Sequence, residues 1–111
     1  MAELFNVTIL VDPDGARGVM FLRGEIDWAA ADDLTAKAAD LLSYGTLDRL
    51  VIDLADVTFI DAGGIGALVR VYRMSHDAGR RATLRNPSRV AVAVLKLTGT
   101  DRLFEIETLP G

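Results

Sequence analysis

The sequence predicts an α/β domain with a mixed, mostly parallel β-sheet, an antiparallel hairpin at its N-terminal end and helices packed on the sheet. Strand-like and helical runs alternate along the chain, and a glycine follows each helical run. Such alternation implies parallel strands joined by right-handed crossovers. The element order is ββαβαβαβ. A chain of 111 residues is long enough for one two-layer core, so residues 1–111 are expected to form a single domain.

The hairpin is expected over residues 7–24. Residues 7–11 are mostly β-branched, as strands are, and residues 18–24 return as a mostly apolar run between two glycines. Between them, Pro13 fixes φ and Gly15 supplies a positive φ, which is the chemistry of a tight turn.

Asp27 is the predicted cap of the first helix, since its carboxylate can accept hydrogen bonds from the free N–H groups of the first turn. The helix is expected to run for about four turns to Gly45. Its buried stripe recurs at helical spacing and comprises Ala31, Leu34, Ala38, Leu41 and Leu42.

Asn86 followed by Pro87 favours the start of a third helix, because proline at the first helical position lacks an N–H that would be unpaired anyway. Gly99 is expected to end that helix. The remaining predicted elements are a third strand at 49–54, a second helix at about 63–78, a fourth strand at 81–85 and an alternating last strand at 103–107.

Composition and charge exclude several classes of function. The absence of cysteine excludes disulfides and thiolate metal sites. No window approaches the roughly 20 apolar residues of a membrane span, and no signal-peptide pattern precedes the first strand. We therefore expect a soluble cytoplasmic protein that does not insert into membranes. Residues 1–62 hold 12 acidic and 4 basic side chains, whereas residues 63–111 hold 4 and 8. The net charge of −4 argues against nucleic-acid binding.

The most informative segment joins the third strand to the second helix. Residues 56–61 are predicted to be a tight exit from the strand, and Asp61 is predicted to cap the helix that begins with Ala-Gly-Gly-Ile-Gly. A helix start at the end of a buried strand presents unpaired N–H groups and a partial positive charge. Gly66 inside the helix costs about 1 kcal/mol relative to alanine. That cost favours either close packing or a surface on which a partner docks.

An enzyme is not expected. His76, the single histidine, has no partner at nucleophile–base spacing. Asp53, Asp56 and Asp61 could together hold Mg²⁺, but a turn at Asp56 and a cap at Asp61 explain them more simply. No lysine accompanies the glycines, as it would in a phosphate-binding loop. We expect no catalytic residue, no resident metal and no cofactor.

Surplus apolar surface favours a binding module instead. The second helix carries two adjacent apolar arcs, and the third helix is apolar nearly all round. One arc suffices to cover a sheet. The extra surface either packs against another helix of the chain or is presented to another protein.

Three segments carry a resemblance to a known family. They are Gly-Glu-Ile-Asp at 24–27, Leu-Val-Ile-Asp-Leu at 50–54, and Asp-Val-Thr-Phe-Ile-Asp followed by Gly-Ile-Gly within 56–66. Together they resemble the STAS domain of bacterial anti-sigma-factor antagonists, in the same order and over nearly the whole chain. The resemblance implies the STAS fold, which agrees with the ββαβαβαβ order.

The resemblance also implies a partner switch. The unphosphorylated antagonist binds an anti-sigma factor that is also a serine kinase, which frees the sigma factor. Phosphorylation of a serine at the helix start then dissociates the complex. The position matching that serine is Gly63, which has no hydroxyl. Three alternatives remain: a constitutive binder, modification at Thr58 instead, or a STAS subunit of an ABC-transporter ATPase or sensory complex. A turn threonine bonded to local backbone is the structural explanation of Thr58.

The resemblance places partner binding on the bend, the outward face of the second helix and the loop at 25–27. We expect a protein partner, an anti-sigma factor of the serine-kinase type, and expect the glycine run to let it approach the backbone. The oligomeric state is not determined by the sequence, and a dimer is compatible with it. The predicted partner-binding residues are Glu25, Asp27, Asp56, Thr58, Asp61, Ala62, Gly63, Gly64, Ile65 and Gly66.

Overall fold

A computed structural model of the chain describes residues 5–108. Within that range the chain forms five strands, three α-helices and one short 3-10 turn, so the predicted order is confirmed. The elements are β1 (Phe5–Val11), β2 (Arg17–Ile26), α1 (Trp28–Leu42), β3 (Arg49–Ile60), α2 (Ala62–Asp77), β4 (Arg81–Arg85), α3 (Arg89–Thr98), the 3-10 turn (Thr100–Arg102) and β5 (Glu105–Glu107).

The sheet has the strand order β1-β2-β3-β4-β5, with β1 and β2 antiparallel and the other neighbours parallel. Every crossover moves one strand in the same direction, so right-handed connections put all three helices on one face. The core agrees with this arrangement. Met20, Ile52 and Leu84 join a hydrophobic cluster with residues of all three helices. Val19 and Val51 are buried but lie outside that cluster, because strand side chains alternate between faces.

The predicted exit from the third strand at residues 56–61 is wrong, because β3 continues to Ile60. The added length pairs with β2, which itself runs to Ile26 and offers free backbone partners. Two register shifts accommodate the pairing, and Gly24 adopts a positive φ of 90° beside one of them. Val57 is buried within the extension. A long neighbouring strand therefore overrode the local turn signals.

The start of α3 also differs from the prediction. Ser88, and not Asn86, caps the helix, accepting from the N–H of Ala91 at 3.2 Å. Asn86 has a positive φ of 51°, and its N–H donates to the carbonyl of Glu107. The N–H of Ser88 still donates to the carbonyl of Leu54, so the chain follows β3 for longer before the helix begins.

Of three predicted element ends, one is confirmed and two differ from the structure. Gly99 ends α3 with a φ of 75°, as expected. The first helix ends at Leu42 and not at Gly45, because Ser43 forms its C-terminal cap. The last strand is only Glu105–Glu107, and its expected alternation is wrong, since Ile106 is 43% exposed.

Most of the extra apolar surface of α2 packs inside the chain, whereas α3 exposes a large apolar residue. The predicted stripe of α1 is buried, except that Leu42 is half-buried. The second arc of α2 is largely internal, because Ala67 and Val71 are fully buried and α2 packs against α1. Leu97 on α3 is 87% exposed. No helix among residues 5–108 is long and apolar enough to cross a bilayer.

Candidate docking site

Two helices begin side by side at one edge of the sheet. The parallel strands β2 and β3 end opposite each other, at Ile26 and Ile60. An aspartate follows each strand and caps the next helix. Asp27 Oδ1 accepts from the N–H of Ala30 at 3.0 Å, and Asp61 Oδ1 accepts from the N–H of Gly64 at 2.9 Å. Both predicted caps are confirmed, and the N-terminal ends of α1 and α2 face the same end of the molecule.

Gly63 and Gly64 bring the start of α2 against the segment that enters α1. A Cβ at Gly63 would lie 2.6 Å from the Cα of Trp28, and one at Gly64 would overlap the carbonyl oxygen of Ile26. Neither glycine has a positive φ. The close contact at these two glycines is packing within the chain, and it explains why neither position carries a side chain.

Gly66 is in a different environment. A Cβ at Gly66 would meet no atom within 4 Å, so close packing does not explain the missing side chain. The residue is half-buried on the first turns of α2. Of the glycines in the run, Gly66 is the one that leaves open space beside the helix start.

The bend itself is at the surface. Ala62 is exposed, whereas Gly64 and Ile65 are buried. The buried pair shapes the helix start but is not accessible to a partner. The other predicted site residues at this end are half-buried; they are Glu25, Asp27, Asp61 and Gly63.

Asp56 and Thr58 lie in β3 and not in the bend. Both are exposed, and Asp56 sits opposite the exposed Arg23 of β2. They belong to the strand that leads to the bend, so the turn explanation of Thr58 does not apply.

The acidic residues do not form a metal site. Asp53 is only 7% exposed, and its carboxylate accepts from Arg85 Nε at 2.9 Å and from the N–H of Ala55 at 3.0 Å. The carboxylate of Asp61 is engaged in capping α2. Over residues 5–108, no group of three acidic, histidine or cysteine side chains is arranged to hold a metal ion. The magnesium alternative therefore has no geometric support.

Two exposed aromatic residues at this end were missed by the sequence analysis. Trp28, the first residue of α1, is 77% exposed, and Phe59 near the end of β3 is 46% exposed. For Trp28 a signal was available: the sole tryptophan of the chain directly follows a predicted cap and lies outside the predicted buried stripe. Exposed tryptophan is uncommon on a surface that contacts only water.

Comparisons with known proteins agree with this architecture. A sequence model of the family described as "Mlab, STAS domain" matches residues 9–107. The chain is 31% identical over 85 residues to the anti-sigma-B factor antagonist of Bacillus subtilis (strain 168), covering 77% of this chain and 76% of that protein. It is 28% identical over 81 residues to the anti-sigma F factor antagonist of Lysinibacillus sphaericus, covering 73% and 69%.

The fold is similar to the solved structure of the anti-sigma factor antagonist SpoIIAA in its unphosphorylated form. The TM-score is 0.79 at 20% identity, over 95% of this chain and 89% of that one, a likeness that concerns the fold. The curated relatives are antagonist proteins and not enzymes, which confirms the expectation that this chain is not an enzyme. Because the family match spans nearly all of the sequence, the chain belongs to the STAS domain family.

Proposed function

We propose that the chain is a cytoplasmic anti-sigma-factor antagonist that binds an anti-sigma factor of the serine-kinase type and thereby releases a sigma factor. The names of its curated relatives support this class. The observation that carries the proposal is the exposed Trp28 beside the paired starts of α1 and α2. We call this end the docking surface; it comprises Glu25, Asp27, Trp28, Phe59, Asp61, Ala62 and Gly66.

The chemistry of the docking surface suits a protein partner. Trp28 offers a large apolar contact with few rotatable bonds, and tryptophan is enriched among residues that dominate binding energy. Gly66 leaves open space on the first turns of α2. Glu25, Asp27 and Asp61 add negative charge around the aromatic residue, which favours a partner that carries basic side chains at the rim.

The second part of the proposal is that docking is not regulated by phosphorylation at the start of α2. Positions 62 and 63, which follow the cap, are alanine and glycine. A side chain at Gly63 would meet the backbone of Trp28, whereas Ala62 is exposed. Neither residue can accept a phosphate. In a switchable antagonist such a group would add about −1.5 to −2 charges beside the cap.

Capture of the partner tests the docking. The immobilised full chain, its Trp28→Ala variant and its Leu97→Ala variant are exposed to cytoplasm from the source cells. Leu97 is a matched control, since it is a large exposed apolar residue on α3. We expect a serine-kinase anti-sigma factor to be retained by the wild type and by Leu97→Ala and lost from Trp28→Ala.

Two results would contradict this proposal. Retention of an ABC-transporter ATPase with the same sensitivity to Trp28→Ala would assign the chain to a transporter assembly instead. If the Trp28→Ala variant retained the partner as well as the wild type, the docking surface would not be part of the interaction.

Incubation with the captured kinase and ATP tests the missing switch. Intact-mass measurement is expected to show no added phosphate. The exposed Thr58 is the alternative acceptor, so Thr58→Val is the control. A phosphate on the wild type that disappears in Thr58→Val would overturn the constitutive mode.

A further inference from the structure

One face of the sheet is not covered by a helix. All three helices contribute to the same core cluster, and the members of that cluster on β2, on β4 and on β3 as far as Leu54 occupy alternate strand positions. Parallel sheets are usually covered on both faces. Among residues 5–108 no helix lies over the second face, which includes Val19, Val51 and Thr83.

Three arginines lie side by side on this uncovered face. Arg17, Arg49 and Arg81 are register partners on the adjacent strands β2, β3 and β4. We call them the arginine row. Like charges directly opposite each other on neighbouring strands destabilise a sheet. The row is at the first residues of these strands, the opposite end of β3 from the docking surface.

The two outer arginines have counter-ions within the chain. Arg17 Nε lies 3.3 Å from Asp12 Oδ2, and Arg81 donates to both carboxylate oxygens of Glu105 at 2.8 Å. The hydrogen bond from Arg81 holds the pKa of the Glu105 carboxyl below its usual value, and the charge of Arg49 lowers that pKa further.

Arg49 differs from its two neighbours. It is half-buried, and in the described part of the chain its guanidinium has no ion pair and no hydrogen bond. Five N–H donors in a rigid fork are therefore available at the centre of the row.

A second polar group on this face also lacks a partner among the described residues. Thr83 is 2% exposed, and its hydroxyl has no hydrogen-bond partner among the described residues. It lies two residues after Arg81, opposite Val51, on the uncovered face. A buried hydroxyl without a hydrogen-bond partner destabilises the fold.

We propose that the arginine row is a second docking surface, which binds an acidic segment of a protein partner through carboxylates paired with Arg49 and its neighbours. Carboxylates match the arginine fork and form two parallel hydrogen bonds with it. The three side chains span only two strand spacings, roughly 10 Å, which suits a short cluster of acidic residues.

Charge distribution disfavours the other occupants. A continuous phosphate backbone would extend beyond the row and meet Asp53 and Glu107 on the same face, whereas a short acidic segment can end at the row. A second copy packed face to face with its arginine row aligned would bring like charges together. A small free anion would have an open surface and not a pocket to bind.

Titration of the ¹⁵N-labelled full chain with an oligoglutamate peptide at low salt tests the proposal. Pyrophosphate and a short DNA oligonucleotide are titrated in parallel. We expect saturable shifts at the Nε–Hε groups of Arg17, Arg49 and Arg81 and at the amide of Thr83, reversed by added salt. Arg49→Gln is expected to weaken binding about tenfold, the loss of one charge-assisted hydrogen bond or more.

The thermal stability of Arg49→Gln distinguishes a binding role of Arg49 from a structural role. Loss of like-charge repulsion should leave Arg49→Gln at least as heat-resistant as the wild type, whereas loss of a stabilising ion pair would make it less so. Arg102→Gln removes one exposed positive charge from the 3-10 turn and should leave peptide binding unchanged. Arg17→Gln should have a smaller effect than Arg49→Gln, because Arg17 already has a counter-ion.

Four outcomes would overturn the proposal. They are the absence of saturable shifts with oligoglutamate, equal binding by Arg49→Gln, tighter binding of the DNA or of pyrophosphate, and shifts of the same residues that grow with protein concentration alone.

Discussion

The starts of α1 and α2 have the same cap and different surroundings. Asp27 and Asp61 adopt nearly the same backbone angles, with φ of −114° and −111° and ψ of −174° and −173°. After the first cap comes an exposed tryptophan, and after the second come alanine and two packed glycines. The comparison teaches that the caps set the direction of both helices. The residues after each cap decide which start offers an anchor and which is held against its neighbour.

The pairing of the two starts depends on backbone contact. The N–H of Asp61 donates to the carbonyl of Ile26 at 3.2 Å, and Gly64 lies against that same carbonyl. Any side chain at Gly64 would push α2 away from the entry to α1. The docking surface exists only while the two starts remain together.

The largest effect is therefore expected from Gly64→Ala. Overlap of the new methyl group with the carbonyl of Ile26 should lower the free energy of unfolding by about 3 kcal/mol. Gly66→Ala in the same helix is the matched control. It enters open space and should stabilise the chain by up to about 1 kcal/mol. Urea unfolding of both variants measures the difference, and equal effects would contradict the packing role of Gly64.

Serine substitutions at the two positions after Asp61 test the difference between the two helix starts. Gly63→Ser is expected to destabilise by about 2 kcal/mol, because its Cβ would press on Trp28. Ala62→Ser is exposed and should change stability by less than about 0.5 kcal/mol. With the proposed partner kinase and ATP, Ala62→Ser is expected to gain one phosphate by intact mass. A stable Gly63→Ser that is phosphorylated would show that the bend adjusts more freely than its packing indicates.

Removal of either cap should lower the free energy of unfolding by less than the destabilising glycine substitutions do, and by the same amount for both caps. Asp27→Ala and Asp61→Ala each lose one capping hydrogen bond, which is expected to lower stability by about 1 kcal/mol. The corresponding Asp→Asn variants keep an acceptor and should retain most of it. Chemical unfolding provides the measurement. A several-fold difference between the two alanine variants would mean that the two caps are not equivalent.

The fold was predictable from local sequence patterns. The predictions that were wrong concern contacts between residues that are far apart in the sequence. Strand and helix order followed from alternating periodicities and from caps such as Asp27 and Asp61. The length of β3 depended on pairing with the end of β2, and the cap of α3 depended on Ser88 remaining beside Leu54. Neither partner is close in sequence, so the turn-forming residues at 56–61 and at Asn86 predicted the wrong boundaries.

The docking surface was predictable only in part for the same reason. The bend and both caps were found, because their chemistry lies within a few residues. The exposure of Phe59 and Trp28 was not predicted. The role of Gly63 depends on contact with Trp28, which is distant along the chain. The arginine row became evident only from the strand register.

The smallest predicted effect concerns pH and the ion pair between Arg81 and Glu105. Its hydrogen bond with Arg81 lowers the pKa of the Glu105 carboxyl from its usual 4.5. A carboxyl with a lowered pKa in the folded state stabilises the fold above its unfolded pKa, and that contribution disappears as pH falls through the folded value. Both side chains are exposed, so the effect should be small. The free energies of unfolding of the wild type and Glu105→Gln should differ slightly at neutral pH and not at all in acid. A difference that grows in acid would contradict the lowered pKa of Glu105.

The affinity of the purified chain for its anti-sigma factor, compared between Trp28→Ala and Leu97→Ala, tests the docking surface most directly. Trp28→Ala is expected to weaken binding about thirtyfold or more, as loss of a central aromatic anchor does, without a change in unfolding. Leu97→Ala should bind like the wild type. Equal affinities for the two variants would contradict the assignment of the paired helix starts as the docking surface.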